Sequence, residues 1–369
     1  MRIKDCKDYK KGVYMNSLNT EINFARAFYF FAFMFLVIYS FNSLSNILTP
    51  IAISFFIWFL INGLANEIKK IPYINKRVLD FVATPLSLII ILYSMVKIGT
   101  FVTSSMIELG SVVAQLDSKI NVVIDKISTL TSFDLKEPLQ KFFQEFNMAT
   151  LLNRIFVAFS SILSNTMQIF LYVLFLLIDQ RFFDLKLNAL FQNENSKKKA
   201  KDILTSISKG VRTYILITTI VSLITGFLTF LICQYFGLQG AVLWGFIAFI
   251  LNFIPTIGTI IAVLIPTVFA IIQLTDLSSI LYLFIFLVLI QFVIGNVIYP
   301  KLMGKSLNIS QFVVILSLVV WGAMWGTIGM FLAVPIMMIL LIILSQFEST
   351  KNLAVLISED GNILRNNDN

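Results

Sequence analysis

Thr256-Ile257-Gly258-Thr259-Ile260-Ile261-Ala262-Val263 returns 71 positions further on as Thr327-Ile328-Gly329-Met330-Phe331-Leu332-Ala333-Val334, with five identities in eight positions. A proline follows each copy, Pro266 and Pro335. Each copy sits near the middle of an apolar segment, about 240–272 and 311–347, that is too long for one membrane helix and too short for two. Helix breakers mark both middles: Pro255 and Gly258 in the first, Gly322, Gly326 and Gly329 in the second. A half segment of ~15 residues rises only ~23 Å, short of a ~30 Å hydrocarbon core. Two forms satisfy the pattern: a pair of re-entrant hairpins forming an inverted repeat, or two long, kinked single helices. Interrupted helix at membrane depth is tolerated only where protein or a water-filled cavity covers it. Repeated apolar segments broken by Gly and Pro are a mark of secondary transporters.

The rest of the chain has the same character. Of 369 residues, 58% are hydrophobic and 13% charged, with a mean hydropathy of +0.87. No soluble domain of this size hides that much apolar surface. The chain reads as an all-α integral membrane protein with about eight membrane segments. Candidate helices near 22–41, 46–64, 80–103, 152–178, 211–235 and 278–298 join the two broken segments. There is no histidine, which removes the commonest metal ligand, general base and pH switch. Cys6 lies in a polar tail and Cys233 in a membrane segment, which suits neither a disulfide nor a thiolate metal site. No metal, cofactor or enzymatic activity is expected. No GxxxxGK[ST] loop occurs, so ATP-driven transport would need a separate subunit. The net charge of +8 fits cytoplasmic loops better than nucleic-acid binding. The first apolar run follows a 21-residue polar stretch and reads as an uncleaved anchor.

Lys and Arg in the loops set the orientation. The tail carries Arg2, Lys4, Lys7, Lys10 and Lys11, the loop after the second helix Lys69, Lys70, Lys76 and Arg77, and 181–212 eight basic residues. All three are expected in the cytoplasm. The segment 104–150, with six acids and four lysines, falls outside. The layout is then a cytoplasmic tail (1–21), three spans (22–103), extracytoplasmic amphipathic helices (104–150), a span with a cytoplasmic amphipathic segment (151–210), a transport core (211–347) and a cytoplasmic tail (348–369). Hairpins place Lys301 and Lys305 inside and Asp276 outside, and simple spans swap them. Leu109, Val113, Leu116, Ile120, Val123, Ile127 and Leu130 form an a/d seam. It serves either contact between copies or packing on a second helix opened by Pro138. Segment 183–208 is amphipathic and expected along the inner membrane surface, where its lysine triad 197–199 suits anionic headgroups.

The stretch 251–258 resembles the NFIPxIG signature of the autoinducer-2 exporter (AI-2E) family. A second match is Gly295-Asn296-Val297-Ile298-Tyr299-Pro300-Lys301-Leu302-Met303-Gly304, followed by Leu307. A third combines Leu316-Ser317-Leu318, Trp321-Gly322, Gly326, Gly329-Met330 and Ala333-Val334-Pro335. Agreement covers about 200–349, and 1–150 agrees in layout only. The resemblance implies a bacterial inner-membrane transporter of about eight segments, homopentameric and elevator-like. It links the chain to autoinducer-2 export and so to quorum sensing, or to sodium/proton antiport.

Between Arg212 and Glu348 the only charged residues are Asp276, Lys301 and Lys305, each at a segment end. Proton-coupled transport generally uses an intramembrane acid or histidine. Asp179, at the end of the fourth helix and followed by Arg181, is the one nearby ion-coupling candidate. The polar groups left are neutral: Asn252, Thr256, Thr259, Gln291 and Asn296, together with backbone freed around Pro255, Gly258, Gly326 and Gly329. Asn252 and Asn296 are the best ligand contacts, with Thr256 and Trp321 beside them. The alternative for the two asparagines is hydrogen bonding between helices. Pro255, Gly258, Pro300, Gly304, Gly326, Gly329 and Pro335 are expected to shape backbone. The partners expected are a small polar solute, membrane lipid and further copies of the chain.

Overall fold

The computed structural model describes residues 28–29, 32–70, 76–113, 141, 150, 157, 165–191, 193–274, 276–304 and 308–361. No strand occurs among them. Contacts divide the chain into two units, Met1–Thr49 and Pro50–Asn369. In the first, α1 (Ala32–Ser43) stacks Phe35 on Tyr39 at 6.3 Å between ring centroids. Helix α2 (Ser45–Ile68) starts there and runs on through the second unit.

The second unit continues with α3 (Lys76–Val113), α4 (Thr166–Asp179), a 3₁₀ turn (Gln180–Phe182), α5 (Phe183–Leu190) and α6 (Glu194–Tyr235). After these come α7 (Ala241–Leu251), α8 (Ile257–Gln273) and α9 (Leu277–Val293). A π-turn (Ile294–Ile298) leads into α10 (Tyr299–Met303), then α11 (Gln311–Ser345) and α12 (Lys351–Ile357). Six described stretches are long and apolar enough to cross a membrane: Ser45–Ile68, Val82–Ser105, Thr166–Leu190, Glu194–Tyr235, Leu277–Met303 and Gln311–Ser345. That is fewer than the eight read from sequence. The reason is that α1 is described only from Ala32, and 240–272 divides into α7 and α8, each short of a full span.

Segment 183–208 is not one amphipathic piece. α5 ends at Leu190, and α6 then starts at Glu194 and runs unbroken for 42 residues, so Lys197-Lys198-Lys199 lie in its first turns. Asn193 starts it by accepting the Asn195 N–H at 2.9 Å. Of the heptad seam, only Leu109 and Val113 fall on described backbone, at the end of α3. The rest of the seam, all but Lys141 and Thr150 of the segment expected to be helical after Pro138, the tail 1–21 and residues 305–307 lie outside the described residues.

The packing that positions the core is close. α6 crosses α7 where Gly226 faces Gly245. A Cβ on either would come within 2.6 Å of the other's carbonyl oxygen. Small residues that let backbones touch replace the missing hydrophobic driving force between membrane helices. α7 and α8 run back to back. Their open end is tied by Gln273, whose Oε1 accepts the Gln239 N–H at 2.8 Å and whose Nε2 donates to the Gly237 carbonyl at 2.9 Å. Trp244 of α7 and Phe269 of α8 fill the space between, ring centroids 5.0 Å apart.

Candidate functional site

Pro255 has no N–H and drives the residue before it out of helical conformation, so α7 ends at Leu251. The chain then turns tightly. The Ile257 N–H donates to the Pro255 carbonyl at 2.6 Å around Thr256, with φ 62° and ψ −59°. This is a γ-turn of the rarer, strained hand. Thr256 is the one non-glycine at positive φ among the described residues. α8 begins at once, and Gly258 faces back on α7, where a Cβ would lie 1.8 Å from the Leu251 carbonyl oxygen.

The second copy of the repeat uses the same device. Gly326 turns the chain with φ 65° and ψ −145° inside α11. A Cβ on Gly329 would lie 1.9 Å from the Trp321 carbonyl oxygen, and one on Gly322 2.7 Å from Met330 Cε. Residues eight apart on a straight helix are ~12 Å apart along its axis. The two arms of α11 therefore lie against each other. In both copies the glycine of Thr-Ile-Gly is the point where the second arm meets a first-arm carbonyl.

The two turns converge. Phe253 stacks on Phe331 at 4.7 Å, and Phe56 of α2 meets them edge-on at 6.3 and 4.9 Å. Ile254 belongs to one buried cluster with Val314, Leu318, Ala333 and Val334 of α11 and Val211, Tyr214 and Ile215 of α6. α6 brings polar groups. Tyr214, Thr218, Ser222, Thr225 and Thr229 recur every three or four residues, each no more than 1% exposed. Asn252 donates from Nδ2 to Ser222 Oγ at 3.0 Å. The hydroxyls of Thr218 and Tyr299 lie 3.4 Å apart. Thr225 donates to the Val221 carbonyl at 2.8 Å.

Tyr299 reaches α6 because of Pro300. A proline within a helix clashes with the carbonyl four residues before it, and the wider π-turn of Ile294–Ile298 falls there. Asn296 lies in this turn but is not joined to Asn252. It is exposed, and its Nδ2 donates to the Phe292 carbonyl at 3.0 Å. Gly304 ends α10 at φ 53° with open space around it. Pro335 is buried in the second arm of α11. Trp321 and Trp325 lie 5.0 Å apart beside the Gly326 turn.

Asp179 does not take Arg181 as its partner. It ends α4, about half exposed, and Lys186 Nζ approaches its two carboxylate oxygens at 2.5 and 2.6 Å. The 3₁₀ turn between them carries the chain round, whereas side chains two apart on a helix do not face each other. Asp276 caps α9. Ser278 and Ser279 donate to it from hydroxyls and N–H groups, and these bonds, Ser278's hydroxyl first, hold its carboxyl at about 2, below the ordinary 3.8.

The hydroxyl row of α6 and Tyr299 are not among the site residues expected from sequence. The signal for the row was present in the spacing of Tyr214, Thr218, Ser222, Thr225 and Thr229 along an otherwise apolar helix.

The model of the AI-2E family transporters matches residues 28–349. The chain is 26% identical over 345 residues to a Haemophilus influenzae protein named "Putative transport protein", covering 93% of this chain and 99% of that one. It is 28% identical over 320 residues to the AI-2 transport protein TqsA of Escherichia coli, covering 85% and 90%. A Borreliella burgdorferi protein, also named a transport protein of putative standing, is 34% identical over 193 residues, about half of either chain.

Proposed function

The chain belongs to the AI-2E transporter family, and on that premise we propose that it exports a small, neutral, hydroxyl-bearing solute of the autoinducer-2 kind across a bacterial cytoplasmic membrane. The observation that carries this reading is the Asn252–Ser222 contact. It joins the tip of one repeat to a buried hydroxyl row, at the place where Phe253 and Phe331 bring the two repeats together. Buried neutral donors and acceptors select a solute rich in hydroxyls, because an analogue lacking them would leave those groups unpaired. The name of the Escherichia coli relative supports autoinducer-2 as the first solute to try.

In this reading both folded-back segments are re-entrant hairpins. α7 with 11 residues and α8 with 17 rise ~16 and ~26 Å, less than the ~30 Å core. Their tips meet inside the membrane, where protein covers the broken backbone. Asn252, Ser222, Thr218 and Tyr299 contact the solute, Thr256 and Trp321 flank it, and Asn296 shapes the π-turn. Both termini lie in the cytoplasm, and the chain works as a homo-oligomer, a pentamer by family resemblance.

Antiport would rest on Asp179, and that carboxylate is half exposed, at a helix end, and held by Lys186. A non-transporting scaffold has no use for two hairpins meeting at a polar row.

The test is flux of labelled autoinducer-2 in proteoliposomes. Export by the wild type, reduced at least tenfold in Asn252→Ala, is the expected result. Sodium-dependent pH change without solute flux would replace this reading with the antiporter. For topology, single cysteines at Leu274 and Ser306 in a cysteine-free background are probed from outside with an impermeant maleimide. Labelling at Leu274 alone is expected, and labelling at Ser306 alone would refute the re-entrant arrangement.

A further inference from the structure

A second site lies away from the hairpins, between α2 and α4. These helices run in the same direction. Ser54 Oγ donates to the Ile169 carbonyl at 3.3 Å, and further along Trp58 Nε1 and Asn62 Nδ2 donate to Gln180 Oε1 at 2.9 and 3.3 Å. The helices leave a groove of about 350 Å³ beside that contact, walled by apolar side chains that include Ile51, Phe55, Phe175 and Ile178. This volume is within the range of small-ligand sites. Phe55, Phe175 and Ile178 remain exposed. Asp179 closes one end of the groove and carries Lys186 with it.

Apart from Ser54 and Tyr172 the lining is apolar up to Asp179 at one end, and Lys186 is paired to that carboxylate. We propose that the groove binds a zwitterionic phospholipid bearing a primary ammonium, with an acyl chain between α2 and α4, the ammonium on Asp179 and the phosphate on Lys186. Each partner of the ion pair is more than half exposed. A carboxylate has about four acceptor positions and an ammonium three donors, so each keeps capacity for a second partner. A zwitterion laid against the pair alternates the four charges. An anionic lipid would place its only charge beside the Asp179 carboxylate as well as the Lys186 ammonium. A second protein copy would need to match an apolar wall and also supply a zwitterion at one end of it, which an ethanolamine phospholipid does in a single molecule.

The site is independent of the transport reading, and so is its test. The full-length purified protein is presented with equimolar phosphatidylethanolamine and phosphatidylglycerol, and bound lipid is counted by native mass spectrometry. The wild type is expected to prefer phosphatidylethanolamine on the order of threefold, the scale of exposed ion pairs. Asp179→Asn and Lys186→Gln each bring the ratio to parity, while Lys197→Gln, whose lysine pairs with Glu194, leaves it unchanged. Equal binding by the wild type, or a preference that survives Asp179→Asn, overturns the proposal. So does a Phe175→Cys disulfide between two copies in lipid, which would show that protein covers the groove.

Discussion

Replacing Gly258 by alanine tests the hairpin device most directly. The added Cβ would stand 1.8 Å from the Leu251 carbonyl oxygen, and Ile254 Cβ is 3.2 Å away. Both obstacles are near the backbone, so no side chain can rotate out of the way. The α7 and α8 arms have to separate by more than about 1 Å in a close-packed interior. Overpacking of this kind costs about 1–3 kcal/mol, which lowers the population of the native tip between about five- and over a hundredfold. The displaced segment includes Asn252, so its 3.0 Å bond to Ser222 is lost along with the tip geometry. The assay pairs thermal melting of the purified protein with solute flux in proteoliposomes. Gly258→Ala is expected to melt lower and to lose most of its flux. Gly295→Ala, where nothing lies within 4 Å of the new methyl group, serves as the control and is expected to match the wild type. Wild-type melting and flux in Gly258→Ala would show that the arms are not in contact at this point, and the hairpin description would fail.

Three further outcomes are expected. In a double-mutant cycle of Asn252→Ala and Ser222→Ala, the coupling in stability should be about 0.6–1.7 kcal/mol, the range for hydrogen bonds between membrane helices, and additive losses would mean the contact is not formed. Thr256→Gly should raise the melting temperature, since glycine adopts positive φ freely while a threonine there stores about 1–3 kcal/mol; a lower melting temperature would show that the turn is not strained. The Asp276 carboxyl is depressed to about 2 from 3.8 by Ser278 and Ser279, so its charged cap stabilises the fold fully above pH 3.8 and is lost as pH falls toward 2. The difference in melting temperature between wild type and Asp276→Asn should shrink across that window, and a constant difference would rule the linkage out.

Backbone chemistry was the legible part of the site. Pro255, Gly258, Gly326 and Gly329 act through what their own residue type permits; Gly258 and Gly329 lie in the two copies of the repeat, and Pro255 and Gly326 immediately precede those copies. The polar contacts were less legible because they join distant positions. Asn252 and Ser222 are 30 residues apart, and Thr218 and Tyr299 are 81 apart. Asn296, expected with Asn252 as a ligand contact, donates to the Phe292 carbonyl one turn back. Asp179 passes over its neighbour Arg181 for Lys186, a choice made by the 3₁₀ turn between them.

The sequence by itself determined that this chain is helical and membrane-embedded, and where its helices break. Those properties follow from solvation of apolar runs and from local limits on φ, and neither depends on a remote neighbour. Only the tertiary structure decided which carbonyl each repeat glycine meets, that the two turns share one aromatic contact, and which hydroxyls of α6 face them. Such choices depend on side chains packed to within tenths of an ångström across segments that the sequence keeps far apart.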